Sequence, residues 1–176
     1  TGPAIRNIDR VVGYGEASYN IIKTFEKFGL DVGIEESRAD IELCFADPGN
    51  YIFYDHSSYK IGYSAWESTE MSQQFKQNVN YCDELWGTSY WITDIYKKLF
   101  PNKKIFTYQH GISSSWKPKL RKSRNKPFTF FHIGEPFSRK DGQMVVDAFT
   151  QLFGNDPNYR LVLKCHRMNT TKIKHP

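Results

Sequence analysis

The sequence predicts an α/β protein built on parallel sheets. Two observations carry this expectation. Short apolar segments alternate with longer segments whose apolar residues recur at helical spacing, the pattern of strand–helix–strand units. Turn-forming residues punctuate the junctions, most clearly at Asp47-Pro48-Gly49-Asn50. With 176 residues, the chain is long enough for one good core or for one and a half small domains.

Gly13-Tyr14-Gly15 leads into a helix over Glu16 to Phe28, with Ala17, Ile21, Ile22, Phe25 and Phe28 in register and Gly29 as its stop. Asp31 to Glu35 is expected as a short strand, Ile41 to Ala46 as a second and Tyr51 to Tyr54 as a third. Tyr59 to Ala65 reads as a strand that runs into Trp66-Glu67-Ser68. Met71 to Tyr81 is a helix, Glu84 to Gly87 a strand, and Ser89 to Phe100 a helix capped by Thr88 or Ser89, with Ile92, Ile95, Tyr96 and Leu99 inward. Lys104 to Tyr108 is the next strand, followed by Gln109-His110-Gly111-Ile112. The strand Phe128–Ile133, the helix Arg139–Phe153 and the strand Arg160–Lys164 close the series. The last helix is expected to bury Met144, Val145, Val146, Phe149, Leu152 and Phe153.

The net charge is +5, and Lys117, Lys119, Arg121, Lys122, Arg124 and Lys126 lie in a stretch with no acid. A solvated linker explains such a run, and an anion-binding patch is the sharper alternative. No aromatic residue interleaves it beyond Trp116, so nucleic acid is not an expected partner. Cys44, Cys82 and Cys165 form no metal spacing, and Cys44 and Cys82 are expected in the core. With no signal peptide and no bilayer-length apolar run, a cytoplasmic protein is expected, with peripheral membrane attachment left open.

Three places carry candidate chemistry. Gly13-Tyr14-Gly15 fits a nucleotide loop whose third glycine is replaced by Ser18, with Glu35 where a ribose-binding acid would stand; a tight turn is the plain alternative. Glu67 and His110 each follow a strand at its carboxyl end, where open α/β sheets bind ligands. Glu67 is either an acid–base group or an exposed neighbour of a helix cap at Ser68 or Thr69. Gly134 to Gly142 joins a strand to a helix and supplies Arg139 and Lys140 beside the first helical amides, a setting that favours a phosphate. His56, after Asp55 in a turn-like segment, is either a base or an ordinary exposed histidine, and the absence of an Asp-x-Asp pair argues against sugar transfer with a carboxylate-held cation.

Several segments, in order, resemble the glycosyltransferases of the GT-B fold, in particular the retaining family 4. They are Gly13-Tyr14-Gly15-Glu16-Ala17-Ser18, Ile61 to Ser68, Cys82 to Ser89, Tyr108-Gln109-His110-Gly111-Ile112, and Phe131 to Gly142. The resemblance implies a Rossmann-like acceptor-side domain over 1–116, a basic linker over 117–127, and the start of a Rossmann-like donor-side domain over 128–176. It implies metal-independent transfer from a nucleotide-sugar to an acceptor that is a saccharide, a lipid-linked group or another molecule, with no separate cofactor. By position, Gly13, Tyr14, Gly15 and Lys140 would meet the donor phosphates, with Arg139 as a substitute for an arginine where Glu135 stands. Glu67 falls where many members have a histidine. The chain is further expected to be a piece of a longer protein, inactive alone and prone to self-association through uncovered edges. Two rival readings stand beside this one. One is a nucleotide-dependent oxidoreductase or epimerase using Gly13–Gly15 and Glu35; the other is a non-catalytic anion-binding module using the basic stretch.

Overall fold

A computed structural model describes residues 13–34, 38–119, 127–134 and 140–165. The chain divides into two compact units, Thr1–Ser113 and Ser114–Pro176. Both are α/β, with a four-stranded parallel sheet in the first and a two-stranded parallel sheet in the second.

The first unit begins with α1 (Gly13–Lys27). Strands β1 (Ile41–Phe45), β2 (Tyr59–Ser64), β3 (Glu84–Gly87) and β4 (Lys104–Thr107) follow and pair in sequence order. α2 (Gln73–Asn80) connects β2 to β3, and α3 (Tyr90–Leu99) connects β3 to β4. Right-handed crossovers between strands laid down in one direction put these helices on the same face of the sheet. There, Cys44, Val79, Cys82, Leu85, Ile92 and Tyr96 form the core. Ser72 and Ser89 cap α2 and α3, accepting hydrogen bonds from the amides of Phe75 and Ile92 at 3.3 Å each.

In the first unit the structure departs from the sequence reading in four places. Gly13-Tyr14-Gly15 is the first turn of α1 as described, rather than a loop before it. Residues 31–34 form no strand: Gly29, at φ +79°, ends the helix, and Leu30 and Ile34 stay exposed. The expected strand at Tyr51–Tyr54 is a loop. The Tyr51 ring is spent in the core, and the amides of Tyr54 and Asp55 donate to the Glu42 carboxylate at 2.6 and 3.2 Å instead of to a neighbouring strand. No helix starts at Ser68 or Thr69, since residues 65–72 are irregular up to the Ser72 cap.

The second unit holds β5 (Phe128–Ile133), α4 (Gly142–Phe153) and β6 (Tyr159–Lys164). Phe130 packs on Phe149 and Phe153, with ring centroids 5.9 and 5.1 Å apart. Met144 and Leu152, expected inward, are exposed, because Val146, Phe149 and Phe153 set the stripe that meets the sheet. The expected helical start at Arg139 lies outside the described residues, as do Glu35, Glu135 and the basic residues 121–126; α4 itself starts at Gly142.

Candidate functional site

Parallel pairing brings Phe45 beside Tyr63, Tyr63 beside Trp86 and Trp86 beside Phe106. Each is the last or next-to-last residue of its strand, so an aromatic row crosses the carboxyl end of the first sheet on the face away from α2 and α3. Tyr14, from the first turn of α1, packs on Phe45 with centroids 4.9 Å apart. His110, beyond β4, sits edge-on to Phe45 and Tyr63 at 5.3 and 5.6 Å. Tyr108 leans on Trp86 at 4.3 Å.

Burial and charge tune the titrating groups here. Desolvation is the main cause that raises the Tyr14 phenol; the Asp47 carboxylate adds to it, the Ala65 amide opposes it, and Glu67 raises it a little further. Tyr14 therefore stands between β1 and β2 with two carboxylates in electrostatic reach. Tyr63 donates its hydroxyl to the Tyr108 carbonyl at 2.6 Å, and burial pushes its pKa up to about 12. Desolvation lowers the His110 imidazole below its usual value, although part of the ring keeps exposed surface. The imidazole is thus neutral at pH 7, able to accept a proton.

The depressed pKa makes stability depend on pH. A base with a depressed folded-state pKa is protonated less readily folded than unfolded, so its contribution to stability is present above pH 6.5 and declines as pH falls through that value. Histidine NMR titration is expected to place the His110 midpoint below 6.5, and Phe45→Ala, which removes one of its ring neighbours, is expected to raise it. A midpoint at or above 6.5 in the unmodified protein would contradict the desolvated setting.

Beneath the row, Tyr51 donates to Ser64 Oγ at 3.1 Å, and Ser64 shares a short hydrogen bond with Tyr96. This buried hydroxyl chain anchors the end of β2, from which the Ala65–Glu67 turn departs.

In the second unit, Gly134 follows β5 and Lys140 precedes α4. The Lys140 side chain lies along Gly134: a Cβ on that glycine would be 3.3 Å from Lys140 Cγ. Asp141, at φ +34°, caps α4 by accepting from the Met144 amide at 3.1 Å. The cap places a carboxylate where an anion would meet the helix amides; Lys140 and, at the end of the paired strand β6, Lys164 are exposed cations at this sheet end.

Of the residues singled out by sequence, the structure gathers Tyr14, Glu67 and His110 at one end of the first sheet. Gly13 and Gly15 flank Tyr14 within its helical turn. Arg139 lies outside the described residues. The aromatic row was not foreseen; aligning the strands by their carboxyl ends would have revealed it. Among the described residues, no three His, Cys, Asp or Glu side chains group to hold a metal, and no helix is long and apolar enough to cross a membrane. Comparisons with protein-family models, curated proteins and solved structures find no match.

Proposed function

We propose that the protein is a glycosyltransferase of the GT-B type, resembling the retaining family 4, that moves a sugar from a nucleotide-sugar to an acceptor without a metal. In this reading the first unit is the acceptor side and the second begins the donor side; a cytoplasmic location belongs to the same reading. The observation that carries it is Lys140 laid along Gly134 at the carboxyl end of a strand in a separate parallel α/β unit. A strand end that carries a cation, its stem seated on a glycine, suits a diphosphate. The positive charge would stabilise the leaving group as the glycosidic bond breaks. Lys140 supplies a cation despite the neighbouring Asp141 carboxylate, whereas around Gly13–Gly15 the described residues offer Glu16, Asp47 and Glu67 and no cation. Glu67 and His110 are the side chains of the first unit placed to take up the proton of an acceptor hydroxyl.

Binding of UDP and GDP, followed by calorimetry, tests this reading. Lys140→Ala is expected to weaken the bound nucleotide by about 1.5–3 kcal/mol, roughly ten- to a hundredfold. Equal affinity in the variant would remove Lys140 from the site. Tight binding of NAD with none of either nucleotide would favour an oxidoreductase instead.

A further inference from the structure

We infer that the carboxyl end of the first sheet binds a neutral saccharide, through the faces of Trp86, Tyr108 and His110 and the polar groups of Tyr14 and Glu67. This names the acceptor class of the proposed transfer, and so rests on the acceptor-side reading of the first unit.

Two features point to this ligand. The first is shape and surface. Tyr108, 47% exposed, packs at the strand ends on Trp86, which keeps part of its own ring surface accessible. The negative face of an aromatic ring attracts the weakly positive C–H bonds on one side of a sugar ring, while the apolar contact is removed from water. The sugar's hydroxyls need polar partners at the rim, which Tyr14 and Glu67 supply.

The second feature is charge. The described segments at this end are the first turn of α1 and residues 46–50, 65–72, 88–89 and 108–113. They contain Glu16, Asp47, Glu67 and Glu70, and neither lysine nor arginine. Partial burial shifts His110 toward its neutral form, which lessens any positive charge it would add. Among the described residues a phosphate or carboxylate on the ligand would therefore meet repulsion without a counter-charge, whereas a polyol meets acceptors for its hydroxyls. The polar groups interleaved with the rings also distinguish this surface from an apolar protein interface: Trp86 donates its indole N–H to Glu84, which also accepts from Tyr59.

The test titrates the protein at low salt with maltotriose, cellotriose, chitotriose and mannotriose, and with glucose 6-phosphate and glucuronate, reading the indole N–H shifts and tryptophan fluorescence. At least one neutral trisaccharide is expected to bind saturably and move the Trp86 indole signal. Both anionic sugars are expected to bind at least tenfold more weakly than that trisaccharide. Tyr108→Ala, at a largely exposed ring, is expected to weaken the neutral ligand at least fivefold with an unchanged melting temperature, and Trp86→Phe gives an independent second variant. Binding by none of the four neutral sugars, equal or tighter binding of an anionic one, or self-association that buries Trp86 would overturn the inference. Nucleotide binding at Lys140 is read separately, so a failure here is distinguishable from a failure of the transferase reading.

Discussion

Tyr96→Ala is expected to lower the stability of the first unit by about 3–5 kcal/mol, the range for removing a large buried ring. Tyr96 is fully buried on α3, packs against Phe100 with centroids 6.5 Å apart, and holds Ser64 through its hydroxyl. The substitution opens a cavity and also takes away a partner of Ser64 at the end of β2. Against a total stability of about 5–15 kcal/mol, this loss is a large fraction. Tyr96→Phe keeps the ring and deletes the hydroxyl, so it should cost only about 1–3 kcal/mol. Urea unfolding should show the midpoint falling in that order with little change of slope. A loss under about 1 kcal/mol for the alanine variant would show that Tyr96 is not a centre of the core.

Gly62→Val should cost about 3 kcal/mol or more, at the upper end of overpacking effects. Gly62 lies on β2 opposite Cys44, and a Cβ there would sit 2.5 Å from Tyr51 Cε2 and 2.8 Å from Cys82 Sγ. Neither neighbour is free to yield. Tyr51 is held through its hydroxyl to Ser64, and Cys82 is 2% exposed. The clash would push Tyr51 out of the core and loosen the loop that follows β1. Melting temperature and near-ultraviolet dichroism check this, since the tyrosine environment should change along with stability. A valine variant that melts within a degree of the parent would contradict the packing.

The strands of the first sheet were legible because each is a short apolar run bounded by turn residues, as Ile41–Phe45 is by Asp47-Pro48-Gly49-Asn50. Helix α3 was legible down to its Ser89 cap and its inward residues Ile92, Ile95 and Tyr96. Tyr51–Tyr54 misled because aromatic residues favour strands, while the fate of Tyr51 depends on the space that Gly62 leaves on a neighbouring strand. The glycines at 13 and 15 suggested a loop, yet the apolar helical spacing that follows extends back through them. Leu30 and Ile34 suggested a strand, but no ladder partner meets them among the described residues.

At the candidate site, Tyr14, Glu67 and His110 could be found because each stands at the end of a regular element. The row of Phe45, Tyr63 and Trp86 emerges only when the strands are aligned by their carboxyl ends, a register that no single segment records. Lys140 was visible as a cation between a strand and a helix. The cap formed by Asp141 was not, since the helix was expected to start at Arg139, before it.

The most direct measurement is an amide NMR titration of the isotope-labelled protein with UDP-glucose and GDP-mannose. Saturable shifts are expected for at least one of them at Gly134, Lys140 and Gly142, and are expected to be lost in Lys140→Ala. The absence of saturable shifts at those residues with both nucleotide sugars would contradict the assignment of the second unit as a donor side.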